Sequence, residues 1–188
     1  NLDNNIVELI FDSQGESVNK FDQNSLEELR EVVTQLAADK SVRGLLVSSA
    51  KGVFIVGADI TEFLKGFQVP QDELINWVKD AQKVFSDLEN LDFPSVCAIN
   101  GYALGGGFEI ALSCDFIFAS DSAVFGLPEV SLGLIPGFGG TQRLSKIIGR
   151  NQAKYLIYSG AQVKIDQAEV LGIVLKRYEN KDALIEGC

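Results

Sequence analysis

Two glutamates and a run of glycines are the residues on which chemistry could rest. The segment N-G-Y-A-L-G-G-G-F-E, residues 100–109, places Gly105, Gly106 and Gly107 just before Glu109, and Glu129 follows in L-P-E. Glycines can open a helix with bare backbone, and the N–H groups of a first helical turn lack intrahelical partners and attract negative charge. Glu109 would then sit about one turn into that helix. An exposed, polarising amide beside a carboxylate is equipment for reactions of a carbonyl compound.

Plainer readings compete with each of these. Three glycines also serve close helix–strand packing, and G-G-G-F-E fits neither a dinucleotide fingerprint nor a P-loop. A helix glutamate is ordinarily solvated, but Glu109 stands among Phe108, Ile110, Ala111 and Leu112. Burial there would raise its pKa and suit it to acid–base work. Glu129 lies among Phe125, Leu127, Val130 and Leu132, and otherwise reads as a turn residue after Pro128. Two carboxylates on one cavity can divide acid and base roles. Gly57-Ala58-Asp59 reads as a tight turn, or as a second amide donor converging with Gly106 on one oxygen. Residues 135–141, I-P-G-F-G-G-T, read as a turn feeding a capped helix and as the pocket floor below Glu129.

The elements that must carry these residues alternate. Residues 5–11 read as a strand with Val7, Leu9 and Phe11 on one face. Ser25 and Glu28 form an S-x-x-E capping box opening a helix over about 26–38. Residues 43–49 read as a buried strand. Residues 61–72 read as a mobile loop, followed by an amphipathic helix to about Leu88 with Leu74, Val78, Ala81 and Phe85 inward. Residues 95–99, 116–119 and 123–125 read as strands, with a short helix through about Ser113 after the glycines. Helices follow from Thr141 to near Gly149 and from Asn151 to near Gly160, and Asp166 with Glu169 marks a last helix start. The pattern is that of an α/β chain with a largely buried sheet system.

Composition narrows the function. The chain has 188 residues, 46% hydrophobic, which fits one globular domain. A net charge of -10 argues against nucleic acid as the main partner. No apolar run reaches membrane-spanning length. There is no histidine, which removes Ser-His-Asp and Cys-His nucleophile systems and HExxH zinc sites. Cys97 and Cys114 read as buried free thiols, and an odd cysteine count fits a reducing compartment. The chain lacks methionine, and its start reads as the lead-in to a strand within a longer protein.

Taken in order, V-F-I-V-G-A-D-I-T-E-F, N-G-Y-A-L-G-G-G-F-E, F-G-L-P-E-V and L-G-L-I-P-G-F-G-G-T-Q-R-L resemble the enoyl-CoA hydratase/isomerase (crotonase) superfamily over nearly the whole chain. With S-V-N-K-F-D, they are most similar to the N-terminal hydratase/isomerase region of bacterial multifunctional fatty-acid oxidation α subunits. The resemblance implies a crotonase-like α/β spiral of ββα repeats, with two roughly perpendicular sheets surrounded by helices. It implies an acyl-CoA thioester substrate, with CoA as part of that substrate and no cofactor or metal required for hydration.

Carried over motif by motif, the N–H groups of Ala58 and Gly106 would form an oxyanion hole, and Glu109 and Glu129 would be the catalytic carboxylates. Glu109 would activate water and Glu129 would supply a proton, although the two could share the water. Gly57, Asp59, Ile60, Gly105, Pro128 and Gly137 would line the substrate site. The resemblance further implies a cytoplasmic bacterial enzyme, a homo-oligomer or a thiolase β subunit as partner, and NAD only in a dehydrogenase region absent here. The family's C-terminal helices would also be absent. Thioesterases, dehalogenases and decarboxylases of this superfamily use other residues at the two carboxylate positions. A fold-only fragment that binds acyl-CoA or a partner without turnover is the rival from a different class.

Overall fold

In the computed structural model, residues 3–59 and 69–188 are described. Five parallel strands form the main sheet: β1 (Ile6–Phe11), β2 (Gly44–Ser49), β3 (Ser95–Ile99), β5 (Phe116–Ser120) and β8 (Lys176–Tyr178), in the order β1-β2-β3-β5-β8. β2 is buried along its whole length, with Leu45, Leu46 and Val47 at its centre, as suits a strand covered on both faces. At the edge, β1 turns Val7, Leu9 and Phe11 to the core while Ile10 is 51% exposed.

A second layer is added one short segment per chain passage. β4 (Tyr102–Leu104), β6 (Val124–Gly126) and β7 (Val163–Lys164) make a three-stranded sheet. Isolated bridges continue it, Ile55 to Ala103 and Phe21 to Ala58. Each of β1, β2, β3 and β5 is thus followed by a second-layer segment. The first passages then close with helices, α1 (Gln23–Ala38), α2 (Gln71–Glu89) and α3 (Gly106–Ala111). This is the expected ββα spiral. After a 3-10 turn, Pro128–Leu132, come α4 (Gly140–Ile148), α5 (Arg150–Ser159), α6 (Ile165–Val170) and α7 (Lys181–Glu186).

Several local expectations shift. α1 is capped by Asp22, not by Ser25. The Asp22 carboxylate accepts from Ser25 N at 2.7 Å, and Ser25 Oγ accepts from Asp22 N at 2.9 Å. The box is therefore D-x-x-S, and Ser25 is its third helical residue. Asp166 does not cap α6, which begins at Ile165 with no side-chain cap. α6 is not the last helix either, because Asn180 caps α7 by accepting from Ala183 N at 3.0 Å. β7 and β8 have only two and three residues, too short for a periodic signal. Most of the loop expected at 61–72 lies outside the described residues, and α2 begins at Gln71.

Aromatic rings knit the layers beneath the glycine run. Phe11 meets Phe21 at 5.7 Å, Phe21 meets Phe85 at 5.5 Å, Phe85 meets Phe138 at 5.2 Å, and Phe138 meets Trp77 at 5.9 Å. A buried amide, Asn19, locks the first two passages together. Its Nδ2 donates to Phe11 O, Ser49 Oγ and Phe54 O, and its Oδ1 accepts from Ser13 N. Cys97 is buried, Cys114 half-buried and Cys188 exposed, all as free thiols. Burial pushes the Cys97 thiol well above its ordinary value.

α3 packs so closely on the second layer that a Cβ at Gly107 would overlap the Ile55 carbonyl oxygen. That neighbour is backbone and cannot swing aside. Gly107→Ala is expected to lose about 3 kcal/mol or more of stability by denaturant titration. At Gly52 an added Cβ meets nothing within 4 Å, and Gly52→Ala is expected to stay within about 0.5 kcal/mol of the parent.

Candidate active site

The Ile55 and Ala103 bridge sets the site's register. Ile55 N donates to Tyr102 O at 3.1 Å, and Leu104 N donates to Ile55 O at 3.0 Å. Three residues beyond these partners stand Ala58 and Gly106. Phe21 takes up the polar groups flanking Ala58: Phe21 N donates to Gly57 O at 2.8 Å and Asp59 N donates to Phe21 O at 2.7 Å. A parallel bridge of this kind leaves the N–H of the middle residue, Ala58, pointing the other way.

Gly105 starts α3 at φ 51° and ψ −125°, a conformation that excludes side chains. A Cβ there would lie 3.1 Å from the Glu129 carboxylate and 3.6 Å from Gly57 Cα. The two glycine segments and Glu129 therefore meet at one point. As the first residue of α3, Gly106 has no residue four back to receive its N–H in helical geometry. Among the described residues, neither Ala58 N nor Gly106 N donates to a protein group.

Both glutamates face one cavity of about 430 Å³, a size common for small-molecule sites. Its walls are apolar: Trp77 and Val78 from α2, and Leu132, Leu134, Ile135 and Phe138 from the segment before α4. Gly57, Ala58, Gly105, Gly106, Pro128 and Gly137 all line it with Glu109 and Glu129. Asp59 is not among the lining residues; it pairs with Lys20 at 2.9 Å. Ile60 lies outside the described residues.

The two carboxyls have different surroundings. Glu109 is only 1% exposed, and its Oε1 accepts from Phe138 N and Gly140 N, both at 2.8 Å. Burial pushes its pKa up, while the amides of Gly140 and Phe138 and the charge of Arg143 pull it down. Glu129 projects from the 3-10 turn, and its Oε2 is buried without a partner among the described residues. Burial raises its pKa to about 7; its own backbone amide opposes this and the charge of Glu109 adds to it. The net shift is upward for both carboxyls, and at about 7 Glu129 holds a proton about half the time at neutral pH.

The segment at 135–141 lines the cavity with Glu129, as expected, and has a second role. It is a cradle for Glu109, with Gly140 so close that a Cβ would lie 2.9 Å from Glu109 Cγ. Three residues of this neighbourhood escaped the sequence reading. Gln82 lines the cavity and donates to Gly137 O at 2.7 Å. Trp77 forms its aromatic wall, and Arg143 sits buried behind the cradle. For Arg143, a charge placed on the inward side of an amphipathic helix was an available signal.

The chain is similar to known proteins along nearly its whole length. A family model described as enoyl-CoA hydratase/isomerase matches residues 2–185. The fatty acid oxidation complex subunit alpha of Pseudomonas aeruginosa strain LESB58 is 54% identical over 173 residues, 92% of this chain. The chain spans 24% of the length of that curated relative. A crystal structure of enoyl-CoA hydratase from Bacillus anthracis superposes with a TM-score of 0.88 at 34% identity, covering 97% of this chain and 69% of the other. A putative enoyl-CoA hydratase from Streptomyces coelicolor, at 22% identity and a TM-score of 0.92, covers 100% of this chain and 68% of its own and shares the fold. With a fold, cavity and glycine-led helix of this kind, and a family model matched almost end to end, the chain belongs to the enoyl-CoA hydratase/isomerase family.

Proposed function

We propose that this chain hydrates trans-2-enoyl-CoA thioesters to 3-hydroxyacyl-CoA in fatty-acid β-oxidation. The observation that carries the proposal is the pairing of Glu109 and Glu129 on one apolar cavity, the first held by two backbone amides and the second with an unpartnered oxygen, beside the amides of Ala58 and Gly106. The thioester oxygen would accept from these two amides. Their pull makes C3 electrophilic and stabilises the enolate charge that develops on oxygen.

Glu109, ionised, takes a proton from water as the oxygen bonds to C3. Glu129, protonated, gives its proton to C2. The product gains H and OH, and Glu109 ends protonated while Glu129 ends ionised. A proton passed between them through solvent restores the start. These steps draw on backbone amides and carboxylates alone; NAD chemistry would belong to a dehydrogenase region elsewhere in a longer protein. The names of the relatives support placing the chain in the α-type subunit of a fatty-acid oxidation complex, beside a partner subunit.

One observation favours isomerisation as a second activity. The unpartnered Oε2 of Glu129 suits a single group that takes a proton from C4 of a Δ3-enoyl-CoA and returns it to C2. The two activities separate by variant. Glu129→Gln is expected to lose both by about 100-fold or more, the scale of acid–base catalysis, while acyl-CoA binding stays within about three-fold. Glu109→Gln is expected to lose hydration and keep more of the isomerisation. Loss of the enoyl-thioester absorbance and conversion of Δ3-enoyl-CoA are the assays. Wild-type turnover by Glu129→Gln would remove Glu129 from the mechanism. Gly106→Pro deletes the donor N–H, and a folded variant with intact turnover would remove Gly106 from the oxyanion hole.

Protonation gives two further expectations. Hydration needs the proton on Glu129, so kcat/KM should decline as pH rises through about 7, with the observed values belonging to the carboxylate pair. Stability should follow the same group. Its folded pKa lies above the ordinary carboxyl value, so its contribution is complete below about pH 4.5 and is lost as pH rises through 7. Glu129→Gln should therefore match wild type in stability near pH 4 and gain on it by pH 8. The gain should be on the order of 1–2 kcal/mol, because the open cavity screens part of the effect. A difference in stability that does not vary with pH would rule out the raised pKa.

A further inference from the structure

Glu109 and Arg143 are the two buried charged residues among the described ones, and the chemistry above does not use Arg143. A guanidinium carries five donors that need partners once water is excluded. Arg143 is 6% exposed along its side chain, and its Nε and Nη2 both lie 2.8 Å from the Glu89 carboxylate. Nη2 also reaches Ser86 Oγ at 3.3 Å. These partners lie on α2. Nη1 donates to Phe138 O at 2.9 Å.

Phe138 is thus gripped through both its polar groups. Its N–H donates to Glu109 and its carbonyl accepts from Arg143. The next residue shows how closely the turn wraps the guanidinium. Gly139 stands at φ 111°, and a Cβ there would overlap Arg143 Nη1. The turn that presents two amides to Glu109 is therefore moulded on Arg143.

We propose that Arg143, anchored by Glu89, is a positioning residue that holds the 136–140 turn in the shape that orients Glu109. The inference rests on the reading of Glu109 as the base. Arg143 faces Glu109 from α4 and Glu129 faces it from the 3-10 turn, while Glu89 on α2 lies behind Arg143. Arg143 therefore acts in two ways, by geometry through Phe138 and by charge on Glu109. Lysine at this position would keep the charge and lose the planar fork that spans Glu89 and the carbonyl.

The test uses the protein labelled with carbon-13 at glutamate carboxyls, with the Glu109 signal assigned by its loss in Glu109→Gln. In Arg143→Gln the Glu109 titration should move up by about one unit or more, as when a nearby cation is removed. Its kcat should fall roughly 10- to 100-fold with KM within about three-fold, the split expected when orientation rather than binding is lost. In Arg143→Lys the titration should return toward wild type while kcat stays low.

A folded Arg143→Gln with wild-type titration and kcat would overturn the inference. So would full kcat in Arg143→Lys, since charge alone would then suffice. If Arg143→Gln does not fold, Glu89→Ala decides, because Glu89 is 39% exposed along its side chain. A fall in kcat of roughly 3- to 10-fold would support the anchor, and unchanged kcat would overturn it. If wild type shows no hydration at all, the proposed function fails separately. The carboxyl titration needs no turnover and still judges the role of Arg143.

Discussion

The site depends on the burial of one carboxylate. Glu109 is almost wholly removed from water, and an ionised carboxylate without partners in such a place would be costly by several kcal/mol. Two backbone amides meet that demand, and supplying them dictates much of the surrounding structure. The turn at 136–140 must curl so that Phe138 N and Gly140 N converge on one oxygen. Gly140 must be bare because Glu109 Cγ occupies the space of a side chain. Helix α4 starts where it does because the turn ends there. Gln82 on α2 adds a hydrogen bond to the carbonyl of the very peptide whose N–H reaches Glu109, and chained bonds of this kind reinforce one another.

The spiral explains why residues from three chain passages can meet. Each passage adds a strand to the main sheet and a short segment to the second layer, so second-layer neighbours are separated by a whole passage in sequence. Ile55 and Ala103 pair across such a gap; the third passage then leaves the layer after Leu104, while in the second Ala58 still bridges Phe21 on its other side. This departure leaves amide hydrogens without strand partners. Gly107 makes the arrangement rigid, because α3 rests on the Ile55 carbonyl with no room for a methyl group. The unpartnered amides of Ala58 and Gly106 thus follow from where β4 stops, not from a dedicated loop.

Much of this was legible in the sequence, and the reasons differ by residue. β2 and α2 were legible from hydrophobic pattern because they are long and face one core. Gly105, Gly106 and Glu109 were legible as a local unit, since the start of a helix and its first turn lie within five residues. The partner of Glu109 was not. Its hydrogen bonds run 29 and 31 residues ahead, and no local periodicity encodes a contact of that span. The same limit hid Arg143, whose bonds to α2 cross more than fifty residues. The capping of α1 was misplaced because Ser25 and Asp22 are both competent caps, and only the geometry shows which side chain bonds which amide. β7 and β8 owe their conformation to pairing with β6 and β5 rather than to their own residues.

The two glutamates differ by support rather than by chemistry. Both carboxyls face the same apolar cavity, and both are raised first by burial. What separates them is the number of hydrogens aimed at each. Glu109 receives two amides from the cradle and lies within the field of Arg143. Glu129, projecting from a single 3-10 turn, keeps an oxygen with no partner among the described residues. In the proposed hydration one carboxyl gives a proton and the other takes one, and such an inequality would give the exchange its direction. Here the inequality is built into backbone. The donors to Glu109 are peptide N–H groups that cannot rotate away, and the bare Gly105 lets Glu129 approach the amides without acquiring a donor of its own from a side chain there. The two carboxyls are thus made unequal by the chain's path, and the side chains at the two positions can be identical.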